Sequence, residues 1–159
     1  MPSSMSRRRF LAGSLAVPLV AKVDPLRATL SALTGGAPER AGTRVVLLGT
    51  GGGPSPKPDR SAPAQAIVAG DAVYVVDCGD GVARQYVRAG LRFPQLAGVF
   101  LTHQHSDHNA DYGNLFLLGW TTGLTQPVRT YGPPPLAAMT RQFLEMQRFD
   151  IETRAADEG

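Results

Sequence analysis

The sequence predicts an α/β (α+β) fold for residues 43–159, and two features carry that expectation. Short β-branched apolar runs, among them Val45-Val46-Leu47-Leu48 and Val73-Tyr74-Val75-Val76, alternate with longer segments whose apolar residues recur at helical spacing. Glycine and proline clusters punctuate the junctions, as between Gly49 and Pro58 and at Pro133-Pro134-Pro135.

The elements follow in order. Residues 43–48 form a strand that ends in glycines, and the Gly49–Pro58 stretch is too rich in Gly and Pro for regular structure. The apolar runs 66–69 and 72–76 flank Gly70-Asp71, the pattern of a tight hairpin. Residues 80–90 form a helix with Asp80 as N-cap, Val82, Tyr86 and Ala89 on one face, and Gly90 as its stop. Residues 97–101 are a buried strand; 109–119 a helix; 128–131 a strand; and 136–149 a helix, with Pro135 in its first turn.

The chain has 159 residues, 43% of them hydrophobic and 18% charged, which suits one globular domain and excludes a disordered chain. Its formal charge of +3 sits near the start. Up to Ala28, Arg7, Arg8, Arg9, Lys22 and Arg27 stand against Asp24 alone. A phosphate-binding surface does not follow from that excess, and no nucleic-acid partner is expected. Residues 1–42 read as a leader and linker. Ser6-Arg7-Arg8-Arg9-Phe10-Leu11 ahead of a short apolar stretch resembles a twin-arginine signal, which implies an exported, periplasmic protein that meets a membrane only through that segment. Cys78 is the single cysteine, so no internal disulfide forms; it reads as a buried strand-end residue.

All three histidines lie in His103-Gln104-His105-Ser106-Asp107-His108, directly after the strand at 97–101. A strand exit with His at i and i+2 puts both imidazoles on one side, where one cation meets both. Asp107 and His108 follow at a helix start and turn toward a second ion. Nitrogen and carboxylate donors suit Zn²⁺ best, with Mn²⁺ or Fe as alternatives. The opposing reading is a surface loop whose histidines hold nothing.

The run Thr102-His103-Gln104-His105-Ser106-Asp107-His108 resembles the H-x-H-x-D-H signature of the metallo-β-lactamase superfamily. Asp77-Cys78-Gly79-Asp80-Gly81 and the glycines from Gly49 to Gly53 look like its matching turns, in the order of the ribonuclease Z and arylsulfatase-like branch. The resemblance implies the N-terminal half of an αββα sandwich and two zinc ions. His103 and His105 would hold the first ion and Asp107 and His108 the second, with Asp107 also orienting the attacking water. Asp77 would accept a hydrogen bond behind the ligand loops; the plainer reading makes it a strand-end turn residue. The glycine run lacks the last Gly of a dinucleotide fingerprint and the Lys-Ser/Thr of a P-loop, so it reads as a turn beside the metal site. Arg60-Ser61-Ala62-Pro63, Trp120 and Tyr131 are candidates for a pocket wall, with loop packing as the equal alternative.

The family's second half supplies further ligands, whereas this sequence has no His after His108. The expectation is an incomplete domain, a truncated product of a longer hydrolase, whose uncovered sheet favours self-association. The expected activity is zinc-dependent hydrolysis of a small phosphate or sulfate ester. The alternatives are a non-catalytic metal-binding fragment or pseudoenzyme, and tRNA 3′-processing, lactonase or β-lactamase chemistry.

Overall fold

The computed structural model describes residues 42–158; the leader reading lies outside the described residues but for Gly42. Five strands build one sheet in sequential order: β1 (Thr43–Gly49), β2 (Ala64–Ala69), β3 (Ala72–Val76), β4 (Leu96–Phe100) and β5 (Arg129–Tyr131). The first three pair antiparallel, and β4 and β5 then join parallel. The helices are α1 (Val82–Arg88), α2 (Ser106–Asn109), α3 (Tyr112–Trp120), α4 (Leu136–Met146) and α5 (Arg148–Glu158). A parallel pair needs a crossover, so α1 returns the chain from β3 to β4, and α2 with α3 from β4 to β5. No helix among the described residues is long and apolar enough to cross a membrane.

The predicted hairpin forms, with Gly70 taking the positive φ its turn requires. Three helices differ from the sequence reading. The expected helix over 109–119 is broken at Ala110 and Asp111, so that Asn109 ends α2 and α3 starts at Tyr112. The residue capping α1 is Gly81, in the left-handed region, and not Asp80; Ala89 lies outside the buried face that Val82, Ala83 and Tyr86 make. The expected helix over 136–149 is two helices that meet at Gln147.

The period-two alternation decides which sheet face is covered. Val73, Val75 and Val99 point to the helical side and are fully buried with Tyr86, Leu96 and Leu115. Burying one such side chain is worth about 1.5–3 kcal/mol. Among the described residues nothing covers the other face, where Val45 keeps 63% and Leu47 66% of its surface. At its far edge Phe100 and Tyr131 stack with ring centroids 4.8 Å apart. The apolar strands thus leave one face uncovered, as anticipated, but by alternate residues and not by whole runs.

Cys78 is buried at the end of β3. Burial, aided by the negative charges of Asp77 and Asp111, pushes its thiol far above the ordinary range. A thiol with a raised folded pKa binds its proton more tightly in the native state. Its contribution to stability is therefore complete below the unfolded value of about 8.5 and is lost as pH rises beyond it. The native chain is expected to resist iodoacetamide at mildly alkaline pH and to react once denatured. Rapid labelling of the native chain would show that this part of the core is open.

Candidate metal centre

The ends of β3 and β4 lie side by side, and each delivers a functional turn. Asp77 follows β3 with φ 60, a left-handed conformation that Asp tolerates better than most residues. Its amide donates to the Phe100 carbonyl at 2.8 Å, which locks the turn to β4. The carboxylate then reaches the start of the histidine loop. Oδ1 accepts from the Thr102 amide at 2.8 Å, both oxygens lie 3.0 Å from Thr102 Oγ1, and Oδ2 is 2.8 Å from His108 Nδ1. Its side chain is only 4% exposed, so these contacts stand in place of water.

That carboxylate fixes two imidazoles. His108 must present Nδ1–H to an acceptor-only carboxylate, leaving its Nε2 lone pair outward. The Thr102 hydroxyl donates to Asp77, so its oxygen is left to accept from His103 Nδ1, 3.0 Å away. His103 Nε2 is thereby freed as a lone pair, and it lies 3.1 Å from His105 Nδ1. Asp107 Oδ2 stands 3.6 Å from His108 Nε2 and accepts from the Gly53 amide at 2.9 Å. Partial burial pulls the Asp107 carboxyl up. The amides of Gly53 and of Asp107 itself, with His108 and His105 nearby, outweigh that and hold it below the usual carboxylate range.

The donor chemistry fits a divalent ion. Two ligands at about 2.0–2.1 Å from a tetrahedral ion sit roughly 3.4 Å apart, and the two donor pairs, at 3.1 and 3.6 Å, bracket that spacing. The four side chains come as two pairs; among the described residues no group of three or more His, Cys, Asp or Glu side chains forms a ligand cluster.

The Asp77–Gly81 turn clamps the helix that carries Asp107 and His108. The Cys78 amide donates to the His108 carbonyl at 2.7 Å and the Asp111 amide to the Cys78 carbonyl at 3.0 Å; the Gly81 amide closes on Asp111 Oδ2 at 2.7 Å. Gly79 permits the approach, since a Cβ there would lie 2.3 Å from the Asp107 carbonyl oxygen and 2.6 Å from Ala62 Cβ. Gly79→Ala is expected to cost about 1–3 kcal/mol, the range for overpacking. Gly52→Ala, where a Cβ meets nothing within 4 Å, serves as the control in a denaturant titration. Equal midpoints for the two variants would refute the close packing.

The glycine run and Ala62 do reach this site. With Lys57, Asp80, Ser106 and Asp107 they line a cavity of about 220 Å³. Trp120 does not: it lines a separate apolar cavity with Phe116 and Leu124. Tyr131 lies on the open sheet face, and Arg60 pairs with Asp59. The sequence reading gave no role to Thr102, Gln104, Asn109 or Asp111. Only Thr102 and Gln104 carried a signal, through their place in the histidine motif.

A family model described as the metallo-beta-lactamase superfamily matches residues 60–156. The chain belongs to this superfamily. A ribonuclease Z of Mycobacterium marinum is 38% identical over 115 residues, covering 70% of this chain and 41% of that protein. The ribonuclease Z of a second Mycobacterium species is 40% identical over 116 residues. Among solved structures, the short form of human tRNase Z matches with a TM-score of 0.61 and 29% identity, over 65% of this chain and 39% of that one. A long-form RNase Z from yeast has the same TM-score at 16% identity, a likeness of fold alone. This superfamily chain spans about two fifths of the length of the curated relatives it matches.

These relatives overturn the expectation that nucleic acid is no partner, because they are ribonucleases by name. The physical error was to reason from net charge. Phosphate is recognised locally, by one well-placed cation or by bound metal ions that bring their own charge.

Proposed function

We propose that this superfamily domain takes part in metal-dependent hydrolysis of a phosphodiester in RNA, with tRNA 3′-processing as the reaction. The observation that carries the reading is the pairing of His103 with His105 and of Asp107 with His108 around one buried carboxylate. The similarity to ribonuclease Z supports the substrate class.

In this reading His103 and His105 hold one Zn²⁺, and Asp107 and His108 a second; Mn²⁺ and Fe fit the same donors. When bound, such ions polarise a phosphoryl oxygen and make water a nucleophile near neutral pH. The chain's own residues do the rest. Asp77 keeps His103 and His108 in the tautomers that offer Nε2. Asp107, pinned by the Gly53 amide, orients the attacking water. Lys57 is the one cation among the residues lining the adjoining cavity, where it faces the phosphate backbone of the substrate.

The test is to incubate the zinc-loaded chain with a 3′-extended tRNA precursor and with a bis-aryl phosphodiester. Cleavage that is lost on chelation and restored by Zn²⁺ is the expected result. Bound zinc with no turnover of either substrate would overturn the reading. It would favour a non-catalytic metal-binding role, in keeping with the two incomplete donor pairs.

A further inference from the structure

We propose that Gln104 and Asn109 are positioning residues, forming a clasp that sets the spacing of His103 and His105. Gln104 stands between the two histidines, and both ends of its side-chain amide are engaged. Nε2 donates to the Pro133 carbonyl at 2.8 Å, and Oε1 accepts from Asn109 Nδ2 at 3.0 Å. The same Asn109 nitrogen lies 3.2 Å from the Gln104 backbone carbonyl, in the peptide that leads from Gln104 into His105. One end of the clasp is thus the last residue of α2, and the other is the turn after β5.

The anchor at Pro133 is held on both sides. The Leu101 amide donates to the Tyr131 carbonyl at 2.7 Å, and the Leu136 amide shares the Pro133 carbonyl at 3.2 Å. Gly132 packs so closely that a Cβ there would lie 3.0 Å from Leu136 Cδ2 and 3.1 Å from Leu101 Cβ. The position between the histidines therefore needs a side chain with a donor and an acceptor at one tip. Gln meets that need; Leu offers neither and Glu lacks the donor. Asp77 orients the imidazoles from beneath, whereas this clasp holds the peptide that spaces them. Partners of this kind act on a metal through its ligands and are worth about 10–100-fold in affinity.

The inference rests on the metal-ligand reading above, and its test reads metal binding instead of RNA cleavage. Zn²⁺ affinity is measured on the full chain by competition with a chromophoric chelator, alongside the visible absorption of the Co²⁺ form. Gln104→Leu and Asn109→Ala are each expected to weaken Zn²⁺ by about tenfold and to shift the Co²⁺ bands. The double variant should be little worse than the single ones, because they break one shared clasp. Should Gln104→Leu fail to fold, the nearly isosteric Gln104→Glu carries the same test. Folded variants that bind Zn²⁺ with parental affinity and an unchanged Co²⁺ spectrum overturn the clasp, even if they melt at lower temperature. A parent chain that takes up no metal overturns the clasp and the metal reading together. A parent that binds metal without cleaving RNA overturns only the proposed reaction.

Discussion

His103→Ala combined with His105→Ala is expected to remove zinc from the first position and to reduce phosphodiester cleavage by about 10³-fold or more. The magnitude follows from what is lost. A single preorganised electrostatic donor is worth about 10²–10³ in rate, and in the proposed reading this pair supplies both nitrogens that hold one ion. Both side chains lie at the loop surface, with His105 exposed and His103 half-buried. The double variant should therefore keep the parental melting temperature in the absence of metal. Metal analysis, thermal unfolding and single-turnover cleavage check the three parts separately. Cleavage that survives the pair would remove these histidines from the mechanism.

The second large effect belongs to Asp77. Asp77→Ala strands the Thr102 amide and the His108 Nδ1–H, each bonded to this carboxylate in the native chain. Both donors are only part-buried, so leaving each without its acceptor costs at the low end of the range, about 1 kcal/mol. Alanine is also strained at φ 60, by about 1–2 kcal/mol. The sum predicts a loss of roughly 3–4 kcal/mol and a fall in Tm of about 10 °C. Asp77→Asn isolates the tautomer from the packing, because Asn tolerates the left-handed backbone. With its oxygen committed to the Thr102 amide, its NH₂ faces His108 and turns Nδ1 into an acceptor. The proton then moves to Nε2, where a ligand needs a lone pair. Asp77→Asn should thus lose only a little stability but 10–100-fold in metal affinity. A variant that melts early yet binds zinc normally would reduce Asp77 to a structural residue.

The sequence made the local elements legible wherever one element owned its residues. Val73, Val75 and Val99 alternate along strands, and Gly70 and Gly90 mark the turns that need positive φ. Boundaries failed where a neighbour decided them. Gly81 caps α1 in place of Asp80, for its amide is held by Asp111, thirty residues on. The break at Gln147 leaves no mark in the 136–149 apolar pattern, which runs on through it.

The expectation of no nucleic-acid partner rested on a bulk property. A formal charge of +3, whose excess lies in residues 1–28, says nothing about a cavity that both Lys57 and Asp107 line. Trp120 and Tyr131 were singled out for residue type alone. Their strand and helix carry them to the open sheet face and a separate cavity.

The family, the α/β class and the run from His103 to His108 are legible in the chain alone, because periodicity and spacing are local properties. How those residues face one another depends on contacts between distant turns. Asp77 lies 31 residues from His108, Gly53 lies 54 from Asp107, and Gln104 lies 29 from Pro133. Each of these bonds joins turns brought together by strand pairing or loop packing, and no local pattern records which distant turn will arrive.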